Sequence, residues 1–163
     1  PYNELIIKDK IILFLGINRG TYTKKGISFF EEALAIIDKK YEDNVKIIIA
    51  ENIPYKEYLL QYKEAHILLD QVYAYDQGYN ALEAMASGKV VFTGAEKEFL
   101  EHYKITEDEV CINAVPNSLE IADKLSWLIE NPNKMLEIGK KARKFIEEHH
   151  HHKKVAEKYL KAY

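Results

Sequence analysis

The sequence predicts an α/β fold, a Rossmann-like doubly wound parallel sheet that ends in a helical tail. Three observations carry this expectation. Short apolar runs recur along the chain, Ile11 to Leu15, Val45 to Ala50 with Lys46 as its one polar residue, Ile67 to Leu69 and Val90 to Phe92, the pattern of strands covered on both faces. Between them lie segments whose apolar residues recur at helical spacing. From Pro132 onward the chain reads as nearly all helix. Strands alternating with helices pack as a parallel sheet with helices on both faces, and the ligands of such sheets sit at the carboxyl edge of the strands.

The first strand, Ile11 to Leu15, is followed by a loop from Gly16 to Gly26 that contains Arg19 and Lys25. Glycines let a backbone approach an anion closely, while arginine offers a bidentate fork and lysine a point charge, a set suited to a diphosphate. The competing reading is a surface loop whose cations are merely solvated. The loop feeds a helix in which Ile27, Phe30, Ala33, Leu34 and Ile37 form one apolar face. After the charged turn Asp38 to Asn44 comes the second strand, and then Pro54 at the first turn of a helix whose buried side is Tyr58, Leu59, Tyr62 and Ala65. The loop around Ile53 opens on the same edge as the first.

The third strand, Ile67 to Leu69, ends at Asp70, and a loop leads to Gly78, which opens a helix that Gly88 closes before the strand Val90 to Phe92. The first-turn amides at Gly78 and Tyr79 then face the carboxyl edge unpaired, a place for a phosphate. Glu83, on the same helix, is the only acidic residue between Asp76 and Glu96, and its carboxylate can hold sugar hydroxyls. A helix over Glu96 to Tyr103, a weak strand around Val110 to Ile112 and a helix over Ser118 to Glu130, capped by Ser118 with Glu120 in its first turn, complete the alternation. In the tail, 132–163, Met135, Ile138, Ala142 and Ile146 form one stripe and Val155, Tyr159 and Leu160 another. A tail this long is expected to pack towards a domain that this sequence lacks.

At 163 residues and 19.0 kDa the chain fits one domain, 1–163. Its 23 basic and 26 acidic side chains, net charge -3, include no strongly basic block, so a nucleic-acid surface is not expected. The single cysteine, Cys111, excludes an internal disulfide. No window approaches the roughly 20 apolar residues of a membrane span, and the expectation is a soluble, cytoplasmic protein. The chain begins with Pro1 and enters a strand within about ten residues without a signal-peptide pattern, which reads as a piece of a longer protein. Adjacent histidines on a helix, as at His149 to His152, point in different directions and cannot jointly chelate one ion; they read as a solvated helix surface, and no metal site is expected. His66 and His102 have no acid and nucleophile at recognisable spacing and read as hydrogen-bonded structural residues.

The run Ala81-Leu82-Glu83-Ala84-Met85-Ala86-Ser87-Gly88-Lys89-Val90-Val91 resembles the Leu-Glu-Ala-Met-Ala-x-Gly-x-Pro-Val run of the donor-binding, carboxyl-terminal half of GT-B-fold glycosyltransferases of the family 4, or group 1, type. The first loop is similar to that family's Gly-Arg and Lys-Gly pair, although Ile17 and Asn18 separate Gly16 from Arg19. The resemblance implies that Arg19 and Lys25 hold the donor diphosphate, that Gly16 and Ile53 belong to the donor site, that the Gly78 and Tyr79 amides meet the phosphates and that Glu83 binds the ribose hydroxyls. Where the family carries a first glutamate, which contacts the transferred sugar, this chain has Tyr75, with Asp76 acidic but out of register by one. Either Asp76 or the Tyr75 hydroxyl takes that role, or the site is degenerate.

On this resemblance the chain is expected to be half of an enzyme that transfers a sugar, with retention, from a UDP- or GDP-linked donor to a surface polysaccharide or glycolipid. It implies no cofactor and no metal, an acceptor domain as partner, and only peripheral membrane contact through the full-length enzyme at the inner face. The catalytic set would be Arg19, Lys25, Tyr75 and Asp76, and the isolated domain would turn over little or nothing. Two other readings remain: a non-catalytic nucleotide-sugar or partner-binding module, which the loss of the first glutamate favours, and a GT-B sugar-nucleotide epimerase, which would need further acid and base residues in the cleft.

Overall fold

In the computed structural model, which describes residues 5–162, five parallel strands form one sheet in the order β2-β1-β3-β4-β5. They are β1 (Ile11–Ile17), β2 (Val45–Glu51), β3 (Ile67–Leu69), β4 (Val90–Thr93) and β5 (Ile112–Asn113). The helices are α1 (Tyr22–Lys25), α2 (Ile27–Tyr41), α3 (Tyr55–Glu64), α4 (Tyr79–Ala86), α5 (Lys97–Tyr103), α6 (Ser118–Glu130), α7 (Pro132–His149) and α8 (His152–Ala162). From β1 the chain winds outward through α2 to β2, then returns through α3 to pair β3 on the other side of β1, with Leu15 opposite Leu69. The winding therefore reverses between β1 and β3. The loops that leave these two strands therefore meet at the carboxyl edge, where sheets of this kind bind their ligands.

Alternation along β1 explains its unbroken apolar character. Leu13 and Leu15 point to one face, where Phe30, Ala33 and Ile37 of α2 and Ile121, Leu125 and Leu128 of α6 cover them. Phe14 points to the other, with Leu68, Val91, α4 residues Ala81, Ala84 and Met85, and α7 residues Ala142 and Phe145. The first helix of the tail is thus part of this domain's own core. It approaches α4 closely because residue 139 has no side chain: a Cβ there would lie 2.2 Å from the Gly88 carbonyl oxygen.

Several local expectations shift. The fifth strand pairs only Ile112 and Asn113 with Phe92 and Thr93. Val110 and Cys111 are buried but stand outside the ladder, because Asp108, at φ 57°, turns the chain and accepts a hydrogen bond from the Asn113 amide at 2.8 Å. The cap of α6 is Asn117, whose side chain accepts from the Leu119 and Glu120 amides at 3.1 and 3.2 Å. Ser118 is already helical, and its hydroxyl binds Glu32. On α3, which packs over β1, Tyr58, Leu59 and Tyr62 are half-buried and only Ala65, just beyond the helix, is buried. His66 is structural as expected: its Nδ1 accepts from the Ile12 amide at 2.9 Å and its Nε2 meets the Ile6 carbonyl at 3.1 Å. Burial lowers its pKa. No helix among the described residues is long and apolar enough to cross a membrane.

Candidate functional site

The carboxyl edge at the β1 and β3 loops gathers part of the expected constellation. Past β1, Asn18 opens a short helical turn over Arg19–Thr21 by accepting from the Gly20 amide at 2.9 Å. Arg19 does not stand free. Its guanidinium grips Glu51, the last residue of β2, with Nε–Oε1 at 2.5 Å and Nη2–Oε2 at 2.7 Å, and Cζ lies 4.9 Å from the centre of the Tyr22 ring. This fork raises the arginine pKa and lowers that of Glu51. Because the Arg19 side chain is 56% exposed, solvent weakens the pair, and the guanidinium can exchange Glu51 for another anion at small cost.

Lys25 ends α1, and Gly26 follows at φ +67°, the left-handed position that lets α2 start in a new direction. The Lys25 ammonium lies 2.8 Å from Asp70 Oδ1. Asp70, directly after β3, is 3% exposed, and the Thr93 hydroxyl donates to its other oxygen at 3.5 Å. The Val72 amide donates to the Lys25 carbonyl at 2.8 Å, so backbone and side chain both tie the first loop to the third across the switch point. A buried carboxylate needs such a partner, and the pair fixes the Lys25 ammonium beside the start of α4.

Gly78 is the N-cap of α4, at φ −78° and ψ 172°, and no side chain caps the first turn. Asp70 Oδ2 lies 3.8 Å from where a Gly78 Cβ would stand. The unpaired amides at the head of α4 and the Lys25–Asp70 pair therefore share one place. Tyr79, the first helical residue, is 85% exposed.

Tyr75 and Asp76 stand apart from these cations. Tyr75 is 73% exposed, and its carbonyl accepts from the Glu96 amide at 3.0 Å. The Asp76 carboxylate is exposed, and Tyr103, on α5, has its pKa raised first by burial and then by the Asp76 charge. The loop that carries both is pinned by Gln77, which donates to the Gly94 carbonyl at 3.0 Å. It lies so close to Gly94 that a Cβ there would be 1.9 Å from the Ala74 oxygen.

Glu83 is exposed on α4 and faces Tyr58 and Tyr62 of α3, whose pKa values are raised first by burial and then by neighbouring negative charge, that of Glu83 included. It also lines a cavity of about 1160 Å³ that runs past Tyr62 and Leu59 to His66, Lys89 and Lys46 at the amino side of the sheet. No other expected site residue lines that cavity. Ile53, half-buried, packs against the α3 side of the core after a left-handed Asn52 at φ 53°. At Gly16, a Cβ would lie 3.2 Å from the Tyr58 hydroxyl.

Three neighbours of the expected residues escaped the sequence reading: Glu51 beside Arg19, Asp70 beside Lys25 and Tyr58 beside Gly16. Glu51 and Asp70 each follow the apolar part of a strand, and a carboxylate at the carboxyl end of a buried parallel strand is a signal that points to them. Tyr58 offers no such signal, because it fits the apolar stripe of α3.

The family described as Glycosyl transferase-like matches residues 23–161. Among solved structures, the C-terminal domain of a glycosyl transferase group 1 family protein (LpcC) from Francisella tularensis is 24% identical, with a TM-score of 0.64 and 88% of each chain covered. TarM from S. aureus, solved in complex with fondaparinux, alpha-GlcNAc-glycerol and UDP, is 18% identical with a TM-score of 0.70, covering 99% of this chain and 36% of that one. Sucrose-phosphate synthase from Thermosynechococcus elongatus is 20% identical with a TM-score of 0.68, covering 95% of this chain and 45% of that one. This chain thus spans less than half the length of the latter two. No curated protein sequence matches it.

Proposed function

The chain belongs to the glycosyl transferase-like family, and from that premise we propose that it is the nucleotide-sugar-binding half of a two-domain glycosyltransferase. The observation that carries this reading is the uncapped amino end of α4 beside the Lys25 ammonium at the switch point of the sheet. Helix amides and a fixed cation at that place suit a diphosphate. Arg19 joins them by leaving Glu51, and the two cations with the helix dipole stabilise the charge that develops on the departing nucleoside diphosphate. Leaving-group stabilisation of this kind requires no metal ion.

Glu83 accepts hydrogen bonds from the ribose, Gly16 and Ile53 line the nucleoside side, and the Gly78 and Tyr79 amides meet the phosphates. UDP is the favoured nucleotide, since TarM was solved with it, and GDP is the alternative. Tyr75, in place of the glutamate that contacts the transferred sugar, presents a hydroxyl there. The acceptor, a surface polysaccharide or glycolipid, docks on a second domain, with retention of configuration, at the cytoplasmic side of the membrane. This chain alone binds donor and turns over little.

Calorimetric titration of the chain with UDP and GDP in the absence of metal tests the proposal, repeated on Glu83→Ala and Arg19→Ala. The expected result is binding of one nucleotide, weakened about tenfold by each change, roughly 1.4 kcal/mol. Failure of a folded sample to bind either nucleotide overturns it. A second reading, a non-catalytic binding module, is favoured by Tyr75 alone. Were the two-domain protein to bind the donor yet show no transfer until Tyr75→Glu restored a carboxylate, that second reading would hold.

A further inference from the structure

We infer that Tyr58 is a donor-positioning residue of this site, its hydroxyl donating a hydrogen bond to an oxygen of the bound diphosphate. The inference rests on the donor-binding reading above and adds a residue to it. Tyr58 projects from α3 onto the same face of β1 as Phe14 and Gly16. Its ring meets Phe14 edge-on at 5.2 Å and stacks on Tyr62 at 6.1 Å with the planes 15° apart, so the hydroxyl is held in place by ring packing. Its tip reaches the carboxyl end of β1, where a Cβ on residue 16 would stand 3.2 Å from the oxygen. Gly16 therefore serves the site by leaving room for this hydroxyl.

The group has no hydrogen-bond partner among the described residues, although it lies within the field of both Asp70 and Glu83. Those two carboxylates belong to the two ends expected of the ligand, Asp70 beside the phosphate-facing helix start and Glu83 at the ribose. Burial and both negative charges raise the tyrosine pKa, which keeps the hydroxyl protonated and a donor across the physiological range. A donor without a partner at that point matches an acceptor-rich ligand, and a phosphate oxygen is the strongest acceptor a nucleoside diphosphate offers. Tyr62, one turn along, is the internal comparison: its hydroxyl is also without a partner but is fully enclosed.

The test is UDP titration of the unaltered chain, Tyr58→Phe and Tyr62→Phe, with the thermal midpoint of each measured alongside. Both substitutions keep the stacked rings and remove one oxygen. The expected result is a five- to twentyfold loss of UDP affinity in Tyr58→Phe with an unchanged midpoint, and unaltered affinity in Tyr62→Phe. If the unaltered chain binds UDP and Tyr58→Phe binds it equally well, or if both variants weaken alike, the assignment of Tyr58 is overturned and the donor-binding reading stands. If the unaltered chain binds neither UDP nor GDP, the donor-binding reading itself fails, and this assignment with it.

Discussion

Lys89 shows what one misplaced charge does to this domain. It precedes β4 and is 5% exposed, yet it ends in an ammonium that donates to the Ala65 and Lys63 carbonyls at 2.5 and 3.1 Å, with the Tyr62 ring centre 5.3 Å away. These carbonyls close the end of α3, so the lysine caps one element while opening the next. Burial still dominates and pushes its pKa down to about 8, from 10.5. The sign follows from proton counts. Between those values the unfolded chain holds a proton that the folded one has lost, so stability rises with pH across the window. The contribution is complete above the unfolded pKa and is lost as pH falls through the folded one. Chemical denaturation at pH 7.5 and 9 is expected to show a gain on the order of 1 kcal/mol that Lys89→Met lacks. Cys111, buried with its thiol pushed up to about 12, works in the opposite sense above about pH 9, and its presence in both proteins cancels in the comparison. An equal pH response in Lys89→Met would mean that the ammonium is hydrated in solution.

At the scale of elements, α4 depends on α7 for its far end. Gly88, at φ +76°, terminates α4 in the left-handed conformation, Arg143 of α7 donates to the Ala86 carbonyl, and Gly139 lets the two backbones meet. The orphan groups at the carboxyl end of α4 are thus satisfied by protein, while those at its head are left for a ligand. Gly139→Ala places a methyl carbon 2.2 Å from a backbone oxygen that cannot rotate away. A loss of about 3 kcal/mol, the upper part of the usual range for overpacking, is expected, seen as a drop of roughly 6–12 °C in melting temperature. A midpoint within about 2 °C of the unaltered chain would show that α7 slides freely and that the close approach is not specified. The strands and α4 were legible because a strand buried on both faces must be apolar throughout and a glycine must end a tight helix. The fifth strand was not, because two paired residues at an edge leave no pattern and a turn at Asp108 sets its start. The cap of α6 was misread by one residue because Asn117 and Ser118 are both good caps, and local backbone direction alone separates them.

For the molecule as a whole, the reversal of winding between β1 and β3 turns separate loops into one site, and it also marks where sequence reasoning runs out. Arg19, Lys25 and Gly78 could be placed on one edge from the order of elements. That Arg19 would meet Glu51 and Lys25 would meet Asp70, partners 32 and 45 positions away, depends on which strands lie side by side, and no local pattern encodes that. The same distinction applies to the tail. α7 and α8 look alike in sequence as amphipathic helices, but burial separates them: Met135, Ile138, Ala142 and Phe145 of α7 are buried, whereas Tyr159 and Leu160 of α8 are 66% and 79% exposed. Burial of apolar area is what a helix contributes to the stability of a domain, so the two should differ sharply on removal. A chain ending at His150 is expected to melt within about 4 °C of the unaltered one, a change of order 1 kcal/mol, and to bind UDP with the same affinity. A chain ending at Asn131 uncovers Phe99 and the outer face of α4 and should lose its cooperative transition. A large loss of stability from the shorter deletion would show that α8 closes on the body of the domain in solution and that its apolar residues are core residues.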